Sequence, residues 1–268
     1  MGDSSLLPEL SEGQSQGAVE ALYSDIRATL GVPFVGLVYR TLAVEPGRLE
    51  ATWKQLRPLL AHPATWKRAS ELDPGLSRVP PIAPLGGRSR ADPRFEDRAA
   101  ATLAAYDHMN RLNLLGLSAL HRPREHAIAG PPRAGVPAPR AVRWQPDDLL
   151  PMPALDSLPA EDLDLLLLMS ESLLGSANRS VVPSLLRHFA VPGELRPLWQ
   201  AIRPAVEAGF VAKAAAGLRR QALAVPLPPG VAIELPADPA IAAVAATFLV
   251  ATSTMVVTGA LLERALAA

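Results

Sequence analysis

The sequence predicts an all-α protein built from two related halves, and three observations carry that prediction. Residues 46–58 read PGRLEATWKQLRP and residues 192–204 read PGELRPLWQAIRP, identical at Pro46/Pro192, Gly47/Gly193, Leu49/Leu195, Trp53/Trp199, Arg57/Arg203 and Pro58/Pro204. Upstream, Val32-Pro33 is echoed by Val182-Pro183 and Arg40 by Arg187. Two copies half a chain apart point to duplication and fusion, because solenoid periods are shorter. The second observation is composition: 49% of residues are hydrophobic, mostly Ala, Leu and Val, and only 4% are aromatic. That balance favours helix over sheet. The third is apolar spacing of helical period in the long segments.

Taken in order, residues 1–14 read as an irregular lead-in. Residues 15–30 form a helix with Val19, Leu22, Ile26 and Leu30 on one face. Pro33 opens a second helix, as proline does at a first turn. Glu45-Pro46-Gly47 marks a turn, and 48–61 carry the Trp53 helix, closed at His62-Pro63. Residues 64–98 are mixed, with breakers at Pro80-Pro81 and Gly86-Gly87, and 96–120 form a long amphipathic helix. Residues 121–160 are rich in Pro and Arg with little apolar periodicity, which predicts a linker. The second half then repeats the plan: a helix at 161–176, the Pro183 helix, the Pro192-Gly193 turn, the Trp199 helix, a breaker stretch at 225–239 and an apolar helix at 240–266. The expected organisation is a first repeat over 1–120, a linker over 121–160 and a second repeat over 161–268.

Composition also excludes functions. The formal net charge is zero, so nucleic acid is not an expected partner. There is no cysteine, which removes disulfides, thiolate metal sites and CxxC redox chemistry. The five histidines, His62, His108, His121, His126 and His188, show no metal-ligand spacing, and neither metal nor cofactor is expected. The start, MGDSSLLPEL, lacks the pattern of a signal peptide, so a cytoplasmic protein is expected. Ile241–Leu262 has no charged residue and is long enough to span a bilayer. Its Thr247, Thr252, Ser253, Thr254 and Thr258 fit a buried core helix better, so a membrane role is the less favoured reading.

The segment 23–53 resembles the group I 2-haloacid dehalogenases, an all-α family of fused tandem repeats acting on both enantiomers of 2-haloalkanoic acids. The resemblance is carried by Tyr23, Asp25-Ile26-Arg27, Thr29-Leu30, Val32-Pro33, Val35, Arg40, Leu42-Ala43, Pro46-Gly47, Leu49 and Trp53. The unit VPSLLRHFAVPGEL is also similar to the alkylhydroperoxidase and carboxymuconolactone decarboxylase superfamily, whose redox branch depends on a CxxC pair absent from this chain. The dehalogenase resemblance implies a small carboxylic acid as ligand, a pocket between the halves and a homodimer. It also implies displacement of halide by a water that a buried aspartate activates.

In this chain the aspartate's place, after Pro183, holds Ser184. The asparagine that helps hold the water maps onto Asn110. The pocket's aromatic wall maps onto Phe34, with Leu37 in place of a second aromatic, and a pocket tyrosine of the last helix maps near Thr247 and is lost. Losing the base matters, because water needs general-base help to displace halide at neutral pH.

Read from the residues themselves, Asp107 shares a helix face with Asn110 and is a candidate replacement base. Ser184 and His188, four apart, could form a nucleophile with a histidine in reach, or a helix start and a polar contact. Arg187 and Arg40 could receive a substrate carboxylate or serve as structural ion pairs. Ser253, opposite Asn110 when Gly116 is set against Gly259, is a candidate ligand contact. Two functions remain open: hydrolytic carbon–halogen cleavage of 2-haloalkanoic acids, and a non-catalytic carboxylic acid binder or a hydrolase using Ser184 or Asp107.

Overall fold

The computed structural model describes residues 6–85, 93–121, 144–234 and 237–267, and among them every regular element is helical. Ten α-helices follow one another in these residues: α1 (Gly17–Leu30), α2 (Leu37–Leu42), α3 (Pro46–Leu60), α4 (Pro63–Ser70), α5 (Phe95–Leu120), α6 (Ala160–Leu174), α7 (Ser184–His188), α8 (Leu195–Glu207), α9 (Phe210–Ala224) and α10 (Pro239–Ala267). Gly86-Gly87 and His126 lie outside the described residues, as do residues 122–143 of the expected 121–160 linker.

The core is organised by the two longest helices, α5 and α10, which pack along each other. Helix α10 also touches α2, α6, α8 and α9, and from Phe248 to Leu262 nearly every side chain is buried. It is long and apolar enough to cross a membrane. Its apolarity has a sufficient cause in this packing, since a helix covered on all sides is apolar all round. Helix α5 is contacted by α3, α4, α7 and α9.

Three boundaries differ from the sequence expectation for local reasons. Pro33 does not open a helix: residues 33–34 form a bend, and α2 starts only at Leu37 after an extended Gly36. A side chain at Gly36 would put its Cβ 3.2 Å from Met109 Sδ and 3.3 Å from Asn113 Nδ2, so this position needs close approach to α5. Pro63 does not merely close α3 but starts α4, the position where a missing N–H costs nothing. Helix α9, absent from the expected plan, is separated from α8 by Gly209 at φ 69°. That left-handed conformation ends the periodicity of α8 without a proline signal.

Trp53 ties together helices of one half. Its Nε1 donates to Asp25 Oδ2 of α1 at 2.7 Å, and its ring meets Tyr39 of α2 edge-on at 5.6 Å. Arg57 grips the same carboxylate through Nε (2.6 Å) and Nη2 (3.0 Å). Burial pushes the Asp25 carboxyl up, but the bonds from Arg57 and Trp53 outweigh it and hold the group below its ordinary range.

Candidate functional site

The N-terminal segment before α1 is a strap across both halves. Leu7 N donates to Ser180 O at 2.9 Å and Leu10 N donates to Arg40 O at 3.0 Å. Between them, Glu9 offers its carboxylate to two arginines that the sequence pairs as repeat equivalents. Arg187 Nη1 donates to Glu9 Oε1 at 2.8 Å, and Arg40 Nη2 stands 3.1 Å from Glu9 Oε2, an ion contact outside hydrogen-bond angles. Arg40 is 2% exposed and Arg187 6%. Two guanidinium charges thus share one carboxylate in the interior, leaving a local excess of positive charge.

Arg40 passes that charge forward by donating from Nη2 to Ser184 Oγ at 2.6 Å. Ser184 is the first residue of α7, is 5% exposed, and lines a cavity at the meeting of α2, α5, α7 and α10. The cavity holds about 40 Å³ counted as room for the centres of water molecules. That exceeds the ~10–15 Å³ that one water requires. Its polar wall comes from Tyr106, Asn110, Asn113, Ser184 and Thr252, and its apolar wall includes Leu37 and Phe248. Asn113 is fixed by Tyr39, whose hydroxyl donates to Asn113 Oδ1 at 2.7 Å. Among the described residues, no aspartate or glutamate lines the cavity.

Tyr106 shares the cavity wall with Ser184, and its phenol lies 3.1 Å from His188 Nε2. Burial raises the Tyr106 hydroxyl far above its ordinary value, against the opposing pull of Arg40, Ser184 and Arg187. His188 Nδ1 lies 2.5 Å from Leu150 O. Burial lowers His188 to about 4, with Arg187 and Arg40 adding to the fall and the Leu150 carbonyl opposing it. The imidazole is therefore neutral at pH 7.

A larger cleft of about 120 Å³ lies elsewhere, between α4 and the Val225–Pro229 stretch, lined by Leu59, Leu115 and Leu227 with Arg68 on its wall. It lacks a convergent set of buried polar groups, and such a set is what distinguishes a ligand site. The smaller cavity is the candidate.

Among the residues singled out from sequence, Asn110, Ser184 and Leu37 come together on this cavity. Phe34 does not line it; it stacks on Tyr106 with ring centroids 4.5 Å apart. His188 and Arg187 stand behind the wall rather than in it. Two candidates lie away from this cavity. Asp107 is on the opposite side of α5 from a base's position: its side chain is 38% exposed and paired with Arg111 Nε at 2.7 Å, one helical turn away. Ser253 accepts from Arg219 of α9 at 2.9 Å and donates to Val250 O, while its neighbour Thr252 takes the cavity position. One residue along a helix turns a side chain by about 100°, so a one-residue error in matching α5 to α10 suffices. Sequence reasoning missed Tyr106 and Glu9. Tyr106 had a signal, since it lies four residues before Asn110 on the same face. Glu9 had none, because its partners are far away in the chain.

The fold is that of an all-α haloacid dehalogenase. Solved structures of D-2-haloacid dehalogenase, a mutant complexed with D-2-CPA and a complex with L-LA, each match with a TM-score of 0.69 over 97% of this chain and 94% of theirs, at 18% and 19% identity. By sequence, the chain is 32% identical over 124 residues to the configuration-inverting 2-haloacid dehalogenase of Alcaligenes xylosoxydans xylosoxydans. That stretch covers 45% of this chain and 42% of the relative, so the match spans less than half of the dehalogenase's length. No family model matches the chain.

Proposed function

We propose that this chain is a haloacid dehalogenase-like protein of the group I type, whose cavity binds a small 2-substituted carboxylic acid. The observation that carries the reading is the cavity itself. In a dehalogenase fold, it brings Asn110 and Ser184 onto one small space beside a buried excess of guanidinium charge. An anion entering that space meets a field already positive, and in a dry interior that attraction is far stronger than in water. The leading reaction is hydrolytic cleavage of a carbon–halogen bond by water. The matching order of helices in 17–120 and 160–267 supports the reading of two repeats meeting at this site.

The absence of a carboxylate from the lining favours a second reading, a carboxylic acid binder without turnover. One experiment tests both. Binding of each enantiomer of 2-chloropropionate is measured by calorimetry, and halide release is followed in the wild type and in Ser184→Asp. Binding together with faster halide release in Ser184→Asp is expected, because a carboxylate beside Asn110 takes the water's proton directly. Binding with silence in both proteins would leave only the binder. No binding of either enantiomer would refute the assignment of the cavity.

A further inference from the structure

We propose that Tyr106 and His188 form a proton relay that takes the place of a carboxylate base, drawing the proton of a cavity water inward to His188. This rests on the reading of the cavity as a haloacid site and names how that site activates water.

The direction of the relay follows from hydrogen-bond bookkeeping. A carbonyl oxygen only accepts, so His188 Nδ1, 2.5 Å from Leu150 O, carries the ring proton. In a neutral ring Nε2 is then the acceptor, and the Tyr106 hydroxyl at 3.1 Å donates to it. With its proton committed to His188, the Tyr106 oxygen, on a residue that lines the cavity, keeps a lone pair as acceptor. Ser184 Oγ, on the same lining, receives Arg40 Nη2 at 2.6 Å. A water in the cavity can donate to the Tyr106 oxygen, with Asn110 and Ser184 on the same wall to orient it.

The step balances without an added reactant. The water oxygen bonds to C2 of the 2-haloacid as the carbon–halogen bond breaks and its electron pair leaves with the halide. The water's proton moves to Tyr106 Oη as the Tyr106 proton moves to His188 Nε2. The products are the 2-hydroxy acid, halide and the His188 imidazolium. Once the acid has left, the proton returns along the same chain to water in the cavity. Tyr106 touches the reacting water, and His188 behind it takes the proton onward.

The charges around His188 suit the exchange. Arg187 on its own helix, Arg40 from α2 and Tyr106 from α5 surround it, with Glu9 held between the two arginines. Burial, with the two arginines adding to it, holds the imidazole at about 4, close to the ordinary range of an aspartate carboxyl. An anionic substrate offsets the arginines and strengthens the base.

The test uses the full chain, with both enantiomers of 2-chloropropionate in binding and halide-release assays. The wild type is expected to bind and to release halide, with kcat level from pH 8 down to about 5 and falling as pH approaches 4. Tyr106→Phe and His188→Gln are each expected to lower kcat about 100-fold or more while KM moves less than about threefold. The double variant Ser184→Asp with Tyr106→Phe is expected to recover turnover, since a carboxylate needs no relay, and its recovery shows that the ring site still folds. Binding without halide release in the wild type would overturn the relay. So would halide release that survives Tyr106→Phe within about threefold. Absence of binding would instead refute the cavity's assignment.

Discussion

Replacing Glu9 with glutamine removes the one negative charge between two buried guanidiniums while keeping the shape of the side chain. Glu9 Oε1 is 2.8 Å from Arg187 Nη1, and Oε2 is 3.1 Å from Arg40 Nη2. At an effective dielectric constant near 20, each contact at about 3 Å is worth roughly 5 kcal/mol of attraction before desolvation is counted. Both arginines stay buried in the variant and now repel each other without compensation. Breaking a buried ion pair from one side costs about 3–5 kcal/mol. The Glu9 side chain is 22% exposed, and glutamine retains an acceptor, so the low end applies: about 3 kcal/mol. For a chain of this size that lowers the Tm by roughly 6–12 °C.

Urea unfolding followed by far-UV circular dichroism measures the loss. Adding Arg40→Met to Glu9→Gln removes the uncompensated charge, so the double variant should lose less than the sum of the singles, with a coupling of about 1–3 kcal/mol. A Glu9→Gln protein that melts within about 2 °C of the wild type would refute the reasoning, as would additive losses.

Two further outcomes are expected. His188 is neutral in the fold at about 4 and unperturbed near 6.5 when unfolded, so between these values the unfolded chain binds the extra proton. Its contribution to stability is complete above pH 6.5 and falls by about 1.4 kcal/mol per pH unit as pH drops towards 4. His188→Gln should flatten that part of the stability–pH curve, and an unchanged slope in urea titrations from pH 7 to 4.5 would contradict the burial argument. Asp107→Asn should leave kcat/KM for 2-chloropropionate within about twofold, because Asp107 faces Arg111 and solvent rather than the cavity; a loss of about 100-fold would return it to the role of base.

Local sequence determined the helices and much of their order. The apolar patterns of 96–120 and 240–266 identified α5 and α10 almost to the residue, α5 through an apolar face of helical period and α10 through the near-continuous apolar run that burial all round demands. The recurrence of Pro, Gly, Leu, Trp and Arg marked α3 and α8. The proline signals at 33 and 63 were ambiguous, since the same ring that ends one helix fits the first turn of the next. Asn110 and Ser184 were singled out through the dehalogenase resemblance, and packing brings both onto one cavity. Asp107, Ser253, Tyr106 and Glu9 were decided only by tertiary structure. Asp107 and Ser253 lie next to cavity positions in sequence, but their helices turn them towards Arg111 and Arg219. Tyr106 acquires its role from His188, 82 positions away, and Glu9 from arginines that meet only when the two halves close under the N-terminal strap. Periodicity and propensity are properties of neighbours along the chain and can be read from it. Charge sharing, proton direction and cavity walls are properties of groups brought together by packing, and the fold alone decides them.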